Sequence, residues 1–270
     1  MSESEARPRV GIVYLVGAGP GDPGLLTLRA AELLRAAEVV AHDELVSPEI
    51  LALAPPTAER LPVGRRQGDG PIDYRLHPAV LERARRGLRV VRLKSGDPLI
   101  FGRGGEEAEE LAENGIRFEI VPGISAALGA AAYAGIPLTH RHVSAGVLLT
   151  TGHEADDAAP NSAGAGAVLV GPRVPGASPA LDRTLVLYMA ARRVRSTLQR
   201  LITEGFAADT PAAYVAAATT PAQQVVVGTL ADLADAITLP PPPSRPPGLL
   251  IVGEVVRLRA RLAWFETRDR

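Results

Sequence analysis

Short apolar runs and apolar positions at helical spacing alternate along most of this chain. Val10 to Val16 is an apolar run closed by Gly17, the pattern of a buried strand. Leu25 to Ala37 repeats its apolar residues at helical spacing after a loop of glycine and proline. Val39 to Ala41 reads as a second strand with His42 and Asp43 at its carboxyl end. The spacing then predicts a helix over Pro78 to Arg86, a strand over Arg89 to Leu93, a helix over Glu106 to Asn114 stopped by Gly115, and a strand over Ile116 to Val121. Pro122-Gly123 breaks the chain before an alanine-rich segment from Ser125 to Ala134. Strands followed by helices in this way predict an α/β protein, its sheet mainly parallel and covered on both faces.

Past Ile136-Pro137-Leu138 the pattern restarts. Strands are expected over Val147 to Thr150, Thr184 to Tyr188, Ala212 to Val215, Gln224 to Val227 and Gly248 to Val256. Helices are expected over Val194 to Glu204, closed by Gly205, and over Leu230 to Ile237. We therefore expect two α/β domains, 1–140 and 141–270, with parallel or mixed sheets, which a chain of 270 residues accommodates. Glu154 to Asp182 and Pro240 to Pro247, rich in glycine, alanine and proline, read as loops.

Composition narrows the chemistry. With 46% hydrophobic and 22% charged residues the chain is of the folded globular class. It has no cysteine, which excludes disulfides, thiolate metal sites and a cysteine nucleophile. Its five histidines lie outside any carboxylate-rich cluster, so no metal site is expected. No apolar stretch approaches the roughly 18–20 residues of a membrane helix, and Met1 to Val10 lacks the basic start and apolar run of a secretory signal. A cytoplasmic protein without a membrane partner is the expectation. The net charge of −1 argues against nucleic acid as a partner. Charge is uneven locally, however. Between Arg60 and Arg92 nine arginines stand against Asp69, Asp73 and Glu82. That stretch is either a solvated basic face or a mouth for a polycarboxylate, since guanidinium groups bind carboxylates bidentately. Lys94 is the single lysine, beside 28 arginines.

Two motifs carry candidate chemistry. Gly17-Ala-Gly-Pro-Gly-Asp-Pro-Gly24 lies between a strand and a helix, where glycines allow close backbone approach to a ligand. A dinucleotide fingerprint would need Gly-x-Gly-x-x-Gly with an acidic residue about 20 positions on. Gly17, Gly19 and Gly21 followed by Asp22-Pro23 fit that poorly. The second motif, Val90 to Glu107, is a strand running through Ser95-Gly-Asp-Pro98 into a helix. Open α/β sheets place ligands at such strand ends, which makes Asp97 and its neighbouring backbone candidates for a cofactor's polar atoms. Arg103 and Glu106, three apart at a helix start, read by themselves as a local ion pair.

These motifs resemble a known family. Val13 to Leu28, Arg92 to Glu107, Val121-Pro-Gly-Ile-Ser-Ala126 and Ile136-Pro-Leu-Thr-His-Arg141 are similar to segments of uroporphyrinogen-III C-methyltransferases. So are Thr150-Thr-Gly-His153, Leu187-Tyr-Met189, Gln224 to Leu230 and Ile251-Val-Gly-Glu-Val-Val256, in order over almost the whole chain. The Gly-Pro-Gly-Asp-Pro loop marks the wider tetrapyrrole methylase superfamily, and the Asp97 to Glu107 run marks this branch. The resemblance implies a cleft between two α/β domains, S-adenosylmethionine as methyl donor, no metal, and a homodimer. It also implies C-methylation of uroporphyrinogen III at C2 and C7 to precorrin-2, the precursor of sirohaem and cobalamin. By position it assigns cofactor contacts to Pro20, Ser95, Gly96, Asp97, Ile100, Ser125, Ala126, Met189 and Ala218. Catalytic or substrate-facing roles fall to Asp43, Arg65, Arg103, Glu106 and Arg141. Arginine does not readily deprotonate, so Arg103 is read as a carboxylate anchor or charge stabiliser rather than a base.

Several positions depart from the family. It usually has Lys at Arg65, Gly at Ser95, Thr at Ser125 and Asp at His142, with Gln and Asn near Asp73 and His77. Arg65 keeps the positive charge and is read as a fork for a substrate carboxylate. The substrate-side changes leave room for a single methylation or another tetrapyrrole. A later corrinoid-pathway methyltransferase, a nicotinamide-dependent oxidoreductase and a non-catalytic tetrapyrrole-binding protein are the alternatives.

Overall fold

Five strands form one sheet: β1 (Ile12–Gly17), β2 (Val39–His42), β3 (Glu59–Pro62), β4 (Arg89–Lys94) and β5 (Arg117–Val121). The structure is a computed structural model that describes residues 11–64, 76–152, 183–238, 240 and 246–265. The sheet order is β3-β2-β4-β1-β5 and every pairing is parallel. A central parallel strand is buried on both faces, which is why β1 reads as a nearly unbroken apolar run. On one face, α1 (Leu28–Arg35) and the single turn α2 (Pro48–Leu51) pack Leu33, Leu34 and Ile50 against Val16, Val40, Val91 and Leu93. On the other, α3 (Pro78–Arg85) and α4 (Gly104–Glu113) pack Val80, Leu81, Ala108 and Leu111 against Val13, Leu15, Val39 and Val90. The helix expected from Leu25 begins only at Leu28. Pro23–Leu25 forms a separate 3-10 turn capped by Asp22, and Thr27 Oγ1 then accepts from Ala30 N–H at 3.1 Å to start α1.

The second sheet contains β6 (Gly146–Thr151), β7 (Arg183–Tyr188), β8 (Pro211–Ala216), β9 (Gln224–Thr229) and β10 (Gly248–Val252). Its order is β6-β7-β10-β8-β9; β6 and β7 pair in parallel and the other pairings are antiparallel. The helical elements here are α5 (Ala126–Ala134), α6 (Val194–Thr203), α7 (Leu233–Ala236) and α8 (Arg259–Leu262). The strand expected to reach Val256 ends at Val252, because Gly253, with φ 139°, turns the chain into a 3-10 segment over Glu254–Leu258. The helix expected over Leu230 to Ile237 is reduced to α7.

The chain divides into two units, Met1–Ala126 and Ala127–Arg270, so the division falls at the first residue of α5 where the sequence reading expected it near residue 140. The packing of α5 explains this. Tyr133 meets Trp264 and Phe265 at ring-centroid distances of 5.2 and 4.9 Å, and Arg259 donates to the carbonyl of Ala134. Arg65, Asp69, Asp73, the whole expected loop Glu154 to Asp182 and most of Pro240 to Pro247 lie outside the described residues.

The second unit holds one poorly matched charge pair. α6 buries Val194, Leu198 and Leu201 in the core. Just past its end, Glu204 Oε1 stands 3.6 Å from Arg200 Nε, and Glu204 Oε2 is buried with no hydrogen-bond partner. Burial pushes the Glu204 carboxyl above its ordinary 4.5, and Arg200 offsets this only in part. An acid raised in the folded state binds its proton more tightly there than in the unfolded chain. Stability is therefore lost as pH rises from about 4.5 through the folded value. Glu204→Gln should raise the unfolding free energy by about 1 kcal/mol near pH 7 and change it little near pH 4. Urea denaturation at the two pH values measures the difference.

Candidate active site

The carboxyl ends of β1, β4 and β5 meet in a crossing made of glycine. A Cβ on Gly17 would stand 2.5 Å from Gly123 Cα and N and 2.7 Å from Gly96 O, all backbone atoms. Gly19 and Gly96, at φ 74° and 71°, exchange backbone hydrogen bonds of 3.1 and 2.8 Å. Asp97 then ties two loops together: Oδ1 accepts from Leu99 N–H at 2.8 Å and Oδ2 from Gly123 N–H at 3.0 Å. Pro20, Ser95, Asp97 and Ala126 are half-buried around this crossing, Gly96 and Ser125 are buried, and Ile100 is exposed. The structure thus brings the first unit's expected cofactor residues to one end of its sheet, the end at which α/β sheets place ligands. Asp97 is also the clasp between the β4 and β5 loops, which its motif did not disclose.

Asp43, just past β2, belongs to a buried charge network on the α3/α4 face. Its Oδ1 accepts from Arg92 Nη2 at 2.6 Å and its Oδ2 from Ser95 N–H at 3.2 Å. Arg92 also donates to Glu107 Oε1 through Nη2 at 3.0 Å and Nε at 3.2 Å, and to the carbonyl of Leu93. Lys94 Nζ reaches the same Glu107 oxygen at 2.7 Å. Arg92, Lys94 and Glu107 are only 5%, 2% and 8% exposed. Two cations and two carboxylates balance, which is the condition for burying charge at tolerable cost. Desolvation, with the Arg92 charge beside it, pushes the Lys94 ammonium below its ordinary value against the pull of Glu107 and Asp43. Desolvation works against the Arg92 guanidinium too, but Asp43 and Glu107 outweigh it and hold its value up. The sequence reading missed Glu107. Its signal was Arg92 and Lys94, two apart on one face of a central strand, where each needs a buried counter-charge.

The other candidate residues are distributed as follows. Arg103 heads α4 with φ 60°, and Phe101 has φ 53°, left-handed conformations costing roughly 1 kcal/mol each for non-glycine residues. Arg103 Nε stands 3.5 Å from Glu106 Oε1 at the surface, so the local ion pair is present. In the second unit Arg141 is exposed in the turn between His140 and Ser144. Met189, exposed with φ 56°, follows β7, and Ala218 follows β8. β7 and β8 both run antiparallel to β10 between them, so these two residues lie at the same end of the sheet. Arg65 lies outside the described residues.

Part of the basic stretch is described. Arg83 binds Glu59 and Glu82 at 2.8 and 2.7 Å, and Arg86 approaches Glu82 at 3.9 Å. Arg89 binds Glu38 at 3.3 Å, Arg85 donates to Asn114 at 2.6 Å, and Arg92 is buried in the network above. These arginines serve the chain's own acceptors; Arg65, Arg66 and Arg75 of the same stretch lie outside the described residues. His77, read as a substrate-side change, caps α3, its Nδ1 accepting from Ala79 N–H at 3.2 Å. Among the described residues no group of three or more histidine or carboxylate side chains is placed to hold a metal ion. No helix among them is long and apolar enough to cross a membrane.

A family model described as tetrapyrrole (corrin/porphyrin) methylases matches residues 12–234. The chain belongs to the tetrapyrrole methylase family. The chain is 49% identical over 267 residues to the siroheme synthase of Pseudomonas fluorescens (strain Pf0-1), covering 98% of this chain and 54% of that protein. The chain spans about half the length of the curated relatives it matches. Among solved structures it is similar to a uroporphyrin-III C-methyl transferase from Thermus thermophilus complexed with S-adenyl homocysteine. That likeness has 39% identity and a TM-score of 0.73, and covers 92% of this chain and 100% of the other. A cobalamin biosynthetic enzyme, cobalt precorrin-4 methyltransferase, is similar at 29% identity and a TM-score of 0.74, covering 94% and 99%. The two-sheet α/β fold expected from the sequence is the fold of these methylases.

Proposed function

We propose that the chain is an S-adenosylmethionine-dependent methyltransferase that converts uroporphyrinogen III to precorrin-2 by methylation at C2 and C7. The observation that carries this reading is the gathering of three separate stretches at one sheet end: the Gly-rich turn after β1, Ser95–Asp97 after β4 and Ser125–Ala126 after β5. Glycine there lets the stretches pack backbone to backbone, and the clasp at Asp97 holds the loops in place before a ligand arrives. That surface suits a nucleoside cofactor with a polar tail, and the Thermus thermophilus relative is complexed with S-adenyl homocysteine.

When bound, the cofactor supplies a methyl group already activated on a sulfonium. The protein's task is then to orient the tetrapyrrole and exclude water, and to take or direct the proton that leaves the ring after transfer. We assign the second task, or orientation of the ring, to Asp43, whose carboxylate Arg92 and Ser95 N–H hold in place. Arg103 anchors a substrate carboxylate, and Arg65 keeps the cationic role given to it from the sequence. A cytoplasmic homodimer feeding sirohaem or cobalamin synthesis belongs to the same reading.

Anaerobic incubation with labelled S-adenosylmethionine and uroporphyrinogen III tests it, alongside calorimetric titration of the donor and its demethylated product without added metal. We expect both ligands to bind and two methyl groups to enter each ring system, at C2 and C7. Donor binding without methylation of uroporphyrinogen III would move the assignment to a later corrinoid. Binding of neither ligand by folded protein would remove it.

A further inference from the structure

We propose that Lys94 and Glu107 are positioning residues for Asp43, setting through Arg92 both the orientation and the charge balance of its carboxylate. The proposal rests on the reading of Asp43 as the carboxylate that serves methyl transfer. Its physical basis is one shared nitrogen. Arg92 Nη2 donates at once to Asp43 Oδ1 on the β2 end and to Glu107 Oε1 on α4, at 2.6 and 3.0 Å. Two carboxylates on different elements compete for it. Glu107 Oε1 also takes Arg92 Nε and Lys94 Nζ, while Glu107 Oε2 is buried without a partner. Lys94 therefore supplies the charge that Glu107 would otherwise draw from Arg92, and leaves Arg92 able to hold Asp43.

The surroundings leave few other groups to do this. Among the described residues, the charges facing Asp43 are Arg92 and Lys94 from β4 and Glu107 from α4. His42 and Glu44 flank it in the chain, and the His42 ring nitrogen Nδ1 is 3.0 Å from the Asp43 carbonyl. α3, packed on the same face, contributes Val80, Leu81 and Ala84, none of which titrates. With Asp43 ionised, the four-residue network is neutral.

The sequence adds an independent argument. The chain has one lysine against 28 arginines, and that lysine sits 2% exposed with its ammonium on an oxygen already bound by a guanidinium. A compact ammonium fits beside the planar Arg92 fork. A second guanidinium would bring a second fork against it. The one position that uses lysine is thus the one where arginine's shape is wrong.

The test uses Lys94→Met, Glu107→Gln and the double variant, with kcat and KM followed across pH and folding checked by thermal melting. Lys94→Met should lower kcat on the order of tenfold while KM for the methyl donor stays within about twofold. It should also move the acidic limb of the kcat profile up by about one unit, because a cation near a required carboxylate has gone. Glu107→Gln removes an anion and should move that limb down. The double variant leaves Arg92 and Asp43 as a balanced pair, so it should return the limb and recover most of kcat. A purely structural role would give two losses that add and a limb that stays in place, and either result overturns the proposal. If Lys94→Met does not fold, the direction of the Glu107→Gln shift decides alone. Asp43→Asn, assayed in parallel, separates the two ideas. Full activity there removes the reading of Asp43, whereas inactivity with wild-type behaviour of the network variants removes only the positioning role.

Discussion

Asp43→Asn is expected to lower kcat for methyl transfer by about 10²–10³-fold in a protein that still folds, the scale lost with a positioned acid–base group. Asparagine has nearly the same shape, so it can still accept from Ser95 N–H or from Arg92, but not from both. One of its two terminal groups is an amide nitrogen, a donor facing a donor. The variant also loses one negative charge from a buried network that holds Arg92 and Lys94. Lower stability should accompany the lost activity, but two-state unfolding should persist because Glu107 remains to compensate the cations. The methyl donor's binding should change little where the asparagine still accepts from Ser95 N–H, since the glycine crossing and the Asp97 clasp do not otherwise involve the Asp43 side chain. Single-turnover assay with calorimetric titration of the donor separates these effects. Loss of donor binding in step with loss of rate would place Asp43 in the cofactor's support instead.

The second large effect is steric. Gly17→Ala should destabilise the protein by about 3 kcal/mol, at the upper end of what overpacking costs. The added methyl would meet Gly123 and Gly96, both backbone, on two neighbouring loops. Side chains can turn aside, but strand ends fixed by parallel ladders cannot do so without breaking pairs. Relief by separation would pull Ser95–Asp97 and Ser125–Ala126 away from the turn after β1, so donor binding should fall with stability. Gly105→Ala is the control, because nothing lies within 4 Å of the methyl it would add. Urea denaturation of both variants, with donor titration, checks the expectation. A Gly17→Ala protein as stable as Gly105→Ala would show that the crossing has slack.

Much of the first unit is legible in the sequence because parallel central strands must be apolar on both faces. β1 and β2 stand out for that reason, whereas β4 buries Arg92 and Lys94 on one face and β5 is an edge strand with Arg117 and Phe118 exposed. β3 does not: Glu59-Arg-Leu-Pro62 is a short edge strand that alternates half-buried and exposed positions, so it offers no apolar run. The glycine turns were equally readable, since a position that tolerates no Cβ shows itself as glycine. The charge network was harder. Glu107 sits among Glu106, Glu109 and Glu110, and composition does not separate them. Helical phase does, because Gly104, Glu107, Ala108 and Leu111 form the buried stripe of α4 while Glu106 points outward. The i,i+3 spacing drew notice to Arg103 and Glu106, and the phase relative to Leu111 carried the information. The partners of the basic stretch were hidden for a different reason. Its carboxylate partners Glu38 and Glu59 lie before it in the chain and are brought beside it only by folding.

The strand order of the first sheet also bears on how the protein is made. β1 lies between β4 and β5, so both its neighbours leave the ribosome after it. β2 and β3 can pair early, but they join β1 only when β4 slides between them. That strand carries Arg92 and Lys94 on one face, and their chief counter-charge, Glu107, is synthesised later still. A nascent chain that stops short of α4 therefore has two cations with too little negative charge to follow them inside. Its central strand is expected to stay at the surface until the helix arrives, with the sheet closing late.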